Sequence, residues 1–190
     1  MTLPSREIWR KSVHFSGVFF VPALLWNRLV FSVLLLAFLA VYLAIEFSAR
    51  RGIRIPLLST LTDRCKRPRE SGRLSRGALF LVFSGIVTPY LFGTAAAALG
   101  LAQTFVADTA SAFTGMTWGS VKLPYNASKS WVGSLAFFVA AFLISLSVLS
   151  WPRALILAAV GAIVESLPIP DADNLLIPFA VGAAAMVLLR

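Results

Sequence analysis

Long apolar runs, interrupted by charge at only a few places, decide what this chain can fold into. They lie at about 12–26, 29–47, 77–92, 95–113, 131–149, 153–167 and 175–189. The runs are continuous, without the alternation of barrel strands, so they suit helices. Some are shorter than the ~20 residues usual for a bilayer span. Of the 190 residues, 58% are hydrophobic. A soluble domain of that length needs fewer, and the excess belongs to lipid. The expectation is an all-α fold: a polytopic integral membrane helical bundle with about seven transmembrane helices. It forms one membrane-embedded catalytic domain over 1–190, with no room for a separate soluble domain. The basic and apolar start looks like a signal peptide, but a second run comes at once, so a retained first helix is expected.

Charge orients the bundle. The net charge is +9, and much of it sits in one loop at about 48–76, which holds Arg50, Arg51, Arg54, Arg64, Lys66, Arg67, Arg69, Arg73 and Arg76. Beside apolar spans such a patch faces anionic headgroups from the cytoplasm, and no nucleic-acid partner is expected. With the N-terminus cytoplasmic, a second, polar loop at about 115–130 also lies inside, with Lys122 and Lys129. The Asn126-Ala127-Ser128 sequon then faces the cytoplasm and stays unused. Cys65 and His14 are each alone of their kind. That excludes a disulfide framework, a structural zinc pattern and a two-histidine metal site.

Only eight carboxylates occur, and this threading puts all of them on or near the inner face. Glu46, Asp108 and Glu165 sit inside or at the ends of apolar runs, where an ionised group is expensive and marks function. Thr104, Asp108, Ser111, Ala112, Gly115 and Gly119 recur at three- and four-residue spacing and share a helix face. The glycines alone would suit close helix packing; Asp108 on the same stripe points to a ligand. Lys122 and Lys129, with Ser130, Gly133 and Ser134 at the next helix start, suit phosphate. Glu165, Asp171, Asp173 and Asn174 flank a proline-rich break, and such hard oxygen ligands suit Mg²⁺ or another divalent cation. Asp171 or Asp173 is also a candidate N-cap for the last helix. Glu7, Arg10, Lys11, His14 and Gly17 share a rough helical face, and Glu46 is placed with Arg50. Glu7, Asp63 and Glu70 read as solvated charges. No Walker-type or protein-kinase signature is present.

Taken in order, these residues resemble the CTP-dependent lipid-alcohol kinases: dolichol and polyprenol kinases, phytol and farnesol kinases, and CTP-dependent diacylglycerol kinase. The resemblance runs from Arg10-Lys11-x-x-His14-x-x-Gly17 through Arg69-x-x-x-x-x-Leu74-x-x-Gly77. Its strongest block is Asp108-x-x-Ala-x-x-x-Gly115-x-x-x-Gly119-x-x-Lys122, succeeded by Lys129-Ser130-x-x-Gly133-Ser134, then Glu165 and Asp173-Asn174-x-x-x-Pro178. Where the family often has an acid just before the Gly133-Ser134 pair, this chain has Val132.

The resemblance implies a membrane transferase of lipid metabolism that moves the CTP γ-phosphoryl group to a lipid hydroxyl, leaving CDP. A dolichol- or polyprenol-type alcohol is the first expectation, with phytol, farnesol or diacylglycerol next. A CDP-lipid synthase and a small transporter are the alternatives. Asp108, Lys122, Lys129 and Glu165 are the expected catalytic residues. Gly115, Gly119, Lys122, Lys129, Ser130, Gly133, Ser134 and Asn174 are expected to bind nucleotide. Asp108, Glu165, Asp171 and Asp173 are the expected magnesium ligands, and His14, Glu46, Arg10 and Lys11 stand behind them. The partners are CTP, the lipid alcohol and membrane lipid, at a site on the cytoplasmic face. The lipid tail lies in the bilayer or an intramembrane groove. Which alcohol is used, and the oligomeric state, stay open.

Overall fold

The computed structural model describes residues 5–66, 70 and 73–190. Arg67 and Arg69, expected in the basic loop and the family motif, lie outside the described residues. The architecture is helical, with one small exception. Helix α1 (Ser5–Ser16) passes through a 3-10 turn (Gly17–Phe20) into α2 (Val21–Trp26). The expected first span is therefore helical, but in pieces. Asn27 is extended, and its Oδ1 accepts from the amides of Leu29 and Val30 at 2.8 and 3.2 Å. This cap starts α3 (Arg28–Arg50), whose 23 residues reach about 35 Å, against a hydrocarbon core of about 30 Å. Helix α3 is long and apolar enough to cross a membrane.

The basic segment is not an unbroken loop. It contains α4 (Leu58–Cys65), and Lys66 beyond it pairs with the buried Glu46 of α3. Glu46 is thus matched by Lys66 rather than Arg50, whose guanidinium lies over the Phe47 ring. Glu70 is buried too, which corrects its assignment as a solvated charge. It accepts from Ser75 Oγ at 2.9 Å and from the Arg76 amide at 3.2 Å, fastening the first turn of α5 (Arg76–Phe92).

Gly93, at φ +86°, reverses the chain in a conformation that side chains resist. Helix α6 (Thr94–Ala102), a π turn (Gln103–Ala107) and α7 (Asp108–Trp118) then continue as one uninterrupted run. The polar loop expected from 115 begins only after Trp118. It is a hairpin of β1 (Lys122–Leu123) and β2 (Asn126–Ser130), antiparallel with Lys122 opposite Ser130. Asn126 is buried, and its Nδ2 donates to the Ser166 and Leu167 carbonyls at 2.9 and 3.1 Å. The hairpin is thereby pinned to the far end of α9, and the sequon amide is already committed. Helices α8 (Trp131–Leu146), α9 (Trp151–Ser166) and α10 (Asp173–Leu188) complete the chain. Helices α5, α8 and α10 are shorter apolar helices.

Two apolar clusters hold the bundle. One joins α6, α8, α9 and α10 through Leu99, Phe137, Leu157 and Ile177; the other joins α2, α3, α5 and α6 through Leu24, Phe31, Val82 and Leu101. Helices α6 and α10 cross so closely that a Cβ on Gly100 would lie 2.9 Å from the Pro178 carbonyl oxygen. Large apolar side chains such as Leu29, Leu135, Leu143 and Ile163 remain exposed around the sides. The starts of α5, α8 and α10 and the ends of α3 and α9 meet at one end of the bundle, and the paired carboxylates and lysines gather there, while Arg28 and Arg153 lie at the opposite end, beside Tyr90 and the Leu188 carbonyl.

Candidate active site

The π turn just before Asp108 sets up the first wall. A π turn carries one residue more than the α-helix allows, so α7 is rotated by about 100° relative to α6. It leaves the Thr104 carbonyl to accept from His14 Nε2–H at 2.9 Å. Since a carbonyl only accepts, His14 carries its proton on Nε2. The same nitrogen is 3.6 Å from Asp108 Oδ2. Lys11, one turn earlier on α1, donates to Asp108 Oδ2 at 2.5 Å and to the Asp108 carbonyl at 3.3 Å. Lys11 and Asp108 are only 3% and 2% exposed. Burying such charges is tolerable because they are paired. Asp108 Oδ1 is different: among the described residues it is buried with no hydrogen-bond partner.

The opposite wall is built around Lys129. Its ammonium donates to Glu165 Oε1 at 2.7 Å and to Asp173 Oδ2 at 3.1 Å. Glu165 is fully buried; Oε1 also accepts from Ser111 Oγ at 2.7 Å, and Oε2 from Ser134 Oγ at 3.2 Å. One carboxylate therefore ties α7, β2, α8 and α9 together. Burial works against the Lys129 charge, but Asp108, Asp173 and Glu165 outweigh it and hold the ammonium above the usual lysine range. Burial, reinforced by Asp108, pushes the Asp173 carboxyl up despite the neighbouring Lys129. Neither Asp171 nor Asp173 caps α10, whose N-cap is Ala172. Asp173 is instead the first helical residue and turns to Lys129.

Between the walls lies a cavity of about 740 Å³. Asp108, Ser111, Ala112, Gly115 and Gly119 of the expected stripe line it, together with Arg10, Lys11, Lys122, Lys129, Ser130, Gly133 and Asp173; Thr104, on the π turn, does not. Its glycines also let α7 and α8 touch: a Cβ on Gly133 would lie 3.0 Å from the Ser111 carbonyl oxygen. Ser130 Oγ caps α8 by accepting from the Gly133 amide at 3.2 Å. Lys122 is exposed at the mouth, on β1.

Several expected site residues do not line this cavity. Glu165 and Ser134 stand behind its wall. Asn174 faces away, donating to the Gly77 carbonyl at 2.8 Å. Asp171 occupies the α9–α10 turn at φ +62° and is not among the residues lining the cavity. Glu46 is held by Lys66. Among the described residues no group of three or more Asp, Glu, His or Cys side chains is placed to hold a metal ion. The acids are interleaved with lysines instead of facing one another. Sequence reasoning misses the bonds from Ser111 and Ser134 to Glu165, and it misses the π turn. Ser111 on the Asp108 stripe is the available clue to the first; nothing signals the second.

No family model matches the chain, and no solved structure matches it. Sequence relatives are found. A probable chloroplastic phytol kinase of Triticum aestivum is 29% identical, covering 98% of this chain and 69% of its own length. The chloroplastic phytol kinase 1 of Arabidopsis thaliana is 31% identical over 70% of this chain, which spans half the length of that protein. An uncharacterised protein of Methanocaldococcus jannaschii is 29% identical, with 93% of this chain and 91% of its own length aligned. The motifs and these homologues agree in likening the chain to the lipid-alcohol kinases that include the phytol kinases.

Proposed function

We propose that this protein is a multi-pass membrane kinase that transfers the γ-phosphoryl group of CTP to the hydroxyl of an isoprenoid alcohol of the phytol type. The observation that carries this reading is the paired-charge cavity: Lys11 with Asp108, and Lys129 with Glu165 and Asp173, at one end of an apolar bundle in a relative of phytol kinases. The relatives' names move the expected acceptor from a dolichol-type polyprenol to phytol. Exposed apolar side chains around the bundle support about seven spans, and the basic segment supports a cytoplasmic site.

Phosphoryl transfer mostly requires positioning and charge neutralisation. In the proposed mechanism Lys129, Lys122 and Arg10 neutralise the triphosphate. The glycines of α7 and α8 leave room for it to lie against backbone. Asp108 Oδ1, buried without a partner among the described residues, is suited to a divalent cation or to the proton of the attacking hydroxyl. Asp108 and Asp173 are the wall carboxylates that would hold magnesium, a fit for an ion that takes one or two carboxylates and otherwise phosphate and water. When bound, that ion supplies charge neutralisation at the β- and γ-phosphates. Glu165 positions Lys129 and does not touch the reactants.

The test crosses CTP and ATP with phytol, farnesol, a long polyprenol and diacylglycerol, using the purified protein. CTP-dependent phytyl phosphate with release of CDP is expected. Pyrophosphate release would make it a cytidylyltransferase, and no turnover with any pair would remove the kinase reading.

A further inference from the structure

A second, apolar cavity of about 310 Å³ lies beside the first, enclosed by α1, α3, α4 and α5. Its walls are graded. Arg10, His14, Tyr42 and Lys66 line it at the charged end of the bundle. Phe20, Leu35, Leu81 and Val82 line it further in. Along α3 the lining runs from Leu35 to Ile45, about 15 Å of helix. Phe38 and Val41 are 52% and 55% exposed, so this wall opens sideways. Arg10 lines both cavities. His14, on the apolar side, is 3.6 Å from Asp108 on the polar side. The two cavities therefore meet over the Arg10–His14–Asp108 cluster.

We infer that the α1–α3–α4–α5 groove holds the proximal hydrocarbon tail of the alcohol substrate, with its hydroxyl presented over His14 and Arg10 to Asp108. This rests on the kinase reading and adds where the acceptor binds. A ligand with one polar end and an apolar body matches a groove polar at one end and apolar beyond. A nucleotide does not, since beyond the charged end the lining is mostly apolar. The sideways opening past Phe38 and Val41 lets the rest of a longer tail leave into lipid. The groove therefore recognises the hydroxyl and the first stretch of chain.

Cys65 supplies a reporter. It is the only cysteine, partly buried, and it lines the groove. Its alkylation by N-ethylmaleimide, measured by mass spectrometry on the detergent-solubilised protein, reads occupancy without requiring turnover. Phytol at several times its dissociation constant is expected to slow alkylation about fivefold. In Ala78→Phe, which fills the groove from α5, that protection is expected to disappear. The KM for phytol should rise roughly tenfold while CTP affinity is unchanged. If Ala78→Phe does not fold, Leu58→Trp on the facing wall serves the same purpose. Unchanged alkylation in a protein that phosphorylates phytol would overturn the assignment. So would equal protection by phosphatidylglycerol, which would give the groove to bulk lipid. Protection by phytol without any phosphorylation would keep the groove and remove the kinase reading.

Discussion

Asp108 combines two properties that seldom coincide: it is buried against a lysine, yet one of its oxygens has no partner among the described residues. Asp108→Asn keeps the shape and removes the charge. Turnover is expected to fall by about 10²-fold or more, with alcohol binding at Cys65 retained; wild-type kcat would exclude Asp108 from the chemistry. Lys129 holds two carboxylates, one of them fully buried. Lys129→Met leaves Glu165 buried and uncompensated, a loss of about 3–5 kcal/mol by the usual cost of breaking such a pair. A lowered Tm in detergent checks it. Lys129 has a raised pKa, so its contribution is full below the ordinary lysine value and lost only as pH climbs through the higher one. Between pH 6 and 9 it is constant. Asp173 is also raised: the folded protein holds that proton more tightly than the unfolded chain. Its contribution is full below about pH 3.9 and is lost as pH rises through the folded value. Asp173→Asn should remove that pH dependence from the unfolding curve. At this scale the sequence is partly legible. Asp108 stands out because charge in an apolar run needs a reason. Asp171 is grouped with the site by its place in the chain, and proximity in sequence does not decide which side chains line a cavity.

The elements are legible wherever hydrophobic length decides them. The runs at about 29–47 and 77–92 form α3 and α5 with boundaries shifted by few residues, since apolar continuity and a cap or glycine fix both ends. The π turn is invisible, because an extra residue in a helix leaves no compositional trace. It is nevertheless what aims Asp108. Deleting Val106 should restore an ordinary turn and rotate α7 by about 100° relative to α6. Far-UV circular dichroism is expected to stay the same while turnover is lost; an active deletion would show that the turn is incidental. The Gly100–Pro178 crossing is a simpler case. Gly100→Ala forces backbone against backbone and should cost about 1–3 kcal/mol, read as a lower Tm, with nucleotide affinity kept because the crossing lies outside the cavity.

For the whole molecule, one end is charged and the sides are apolar. The proposed topology places that end in the cytoplasm. In a Cys65→Ser background, Ser120→Cys beside the cavity and Ser147→Cys in the α8–α9 turn should react with a membrane-impermeant thiol reagent from opposite sides of the bilayer. Labelling of both from the same side would rule out the threading. Positive residues are what the proposed orientation rests on; the second cavity has no such sequence signal, because a groove depends on how α1, α3, α4 and α5 lean together. The alternation of acid and base around the polar cavity has a further consequence. Asp108 and Asp173 are already matched by Lys11 and Lys129, so the resting wall has little surplus negative potential to attract a bare dication. On the proposed reading, the nucleotide brings that potential with it. Titration with magnesium alone should give no calorimetric signal, and the same titration with CTP present should give one: the donor and its counter-ion load as a single parcel.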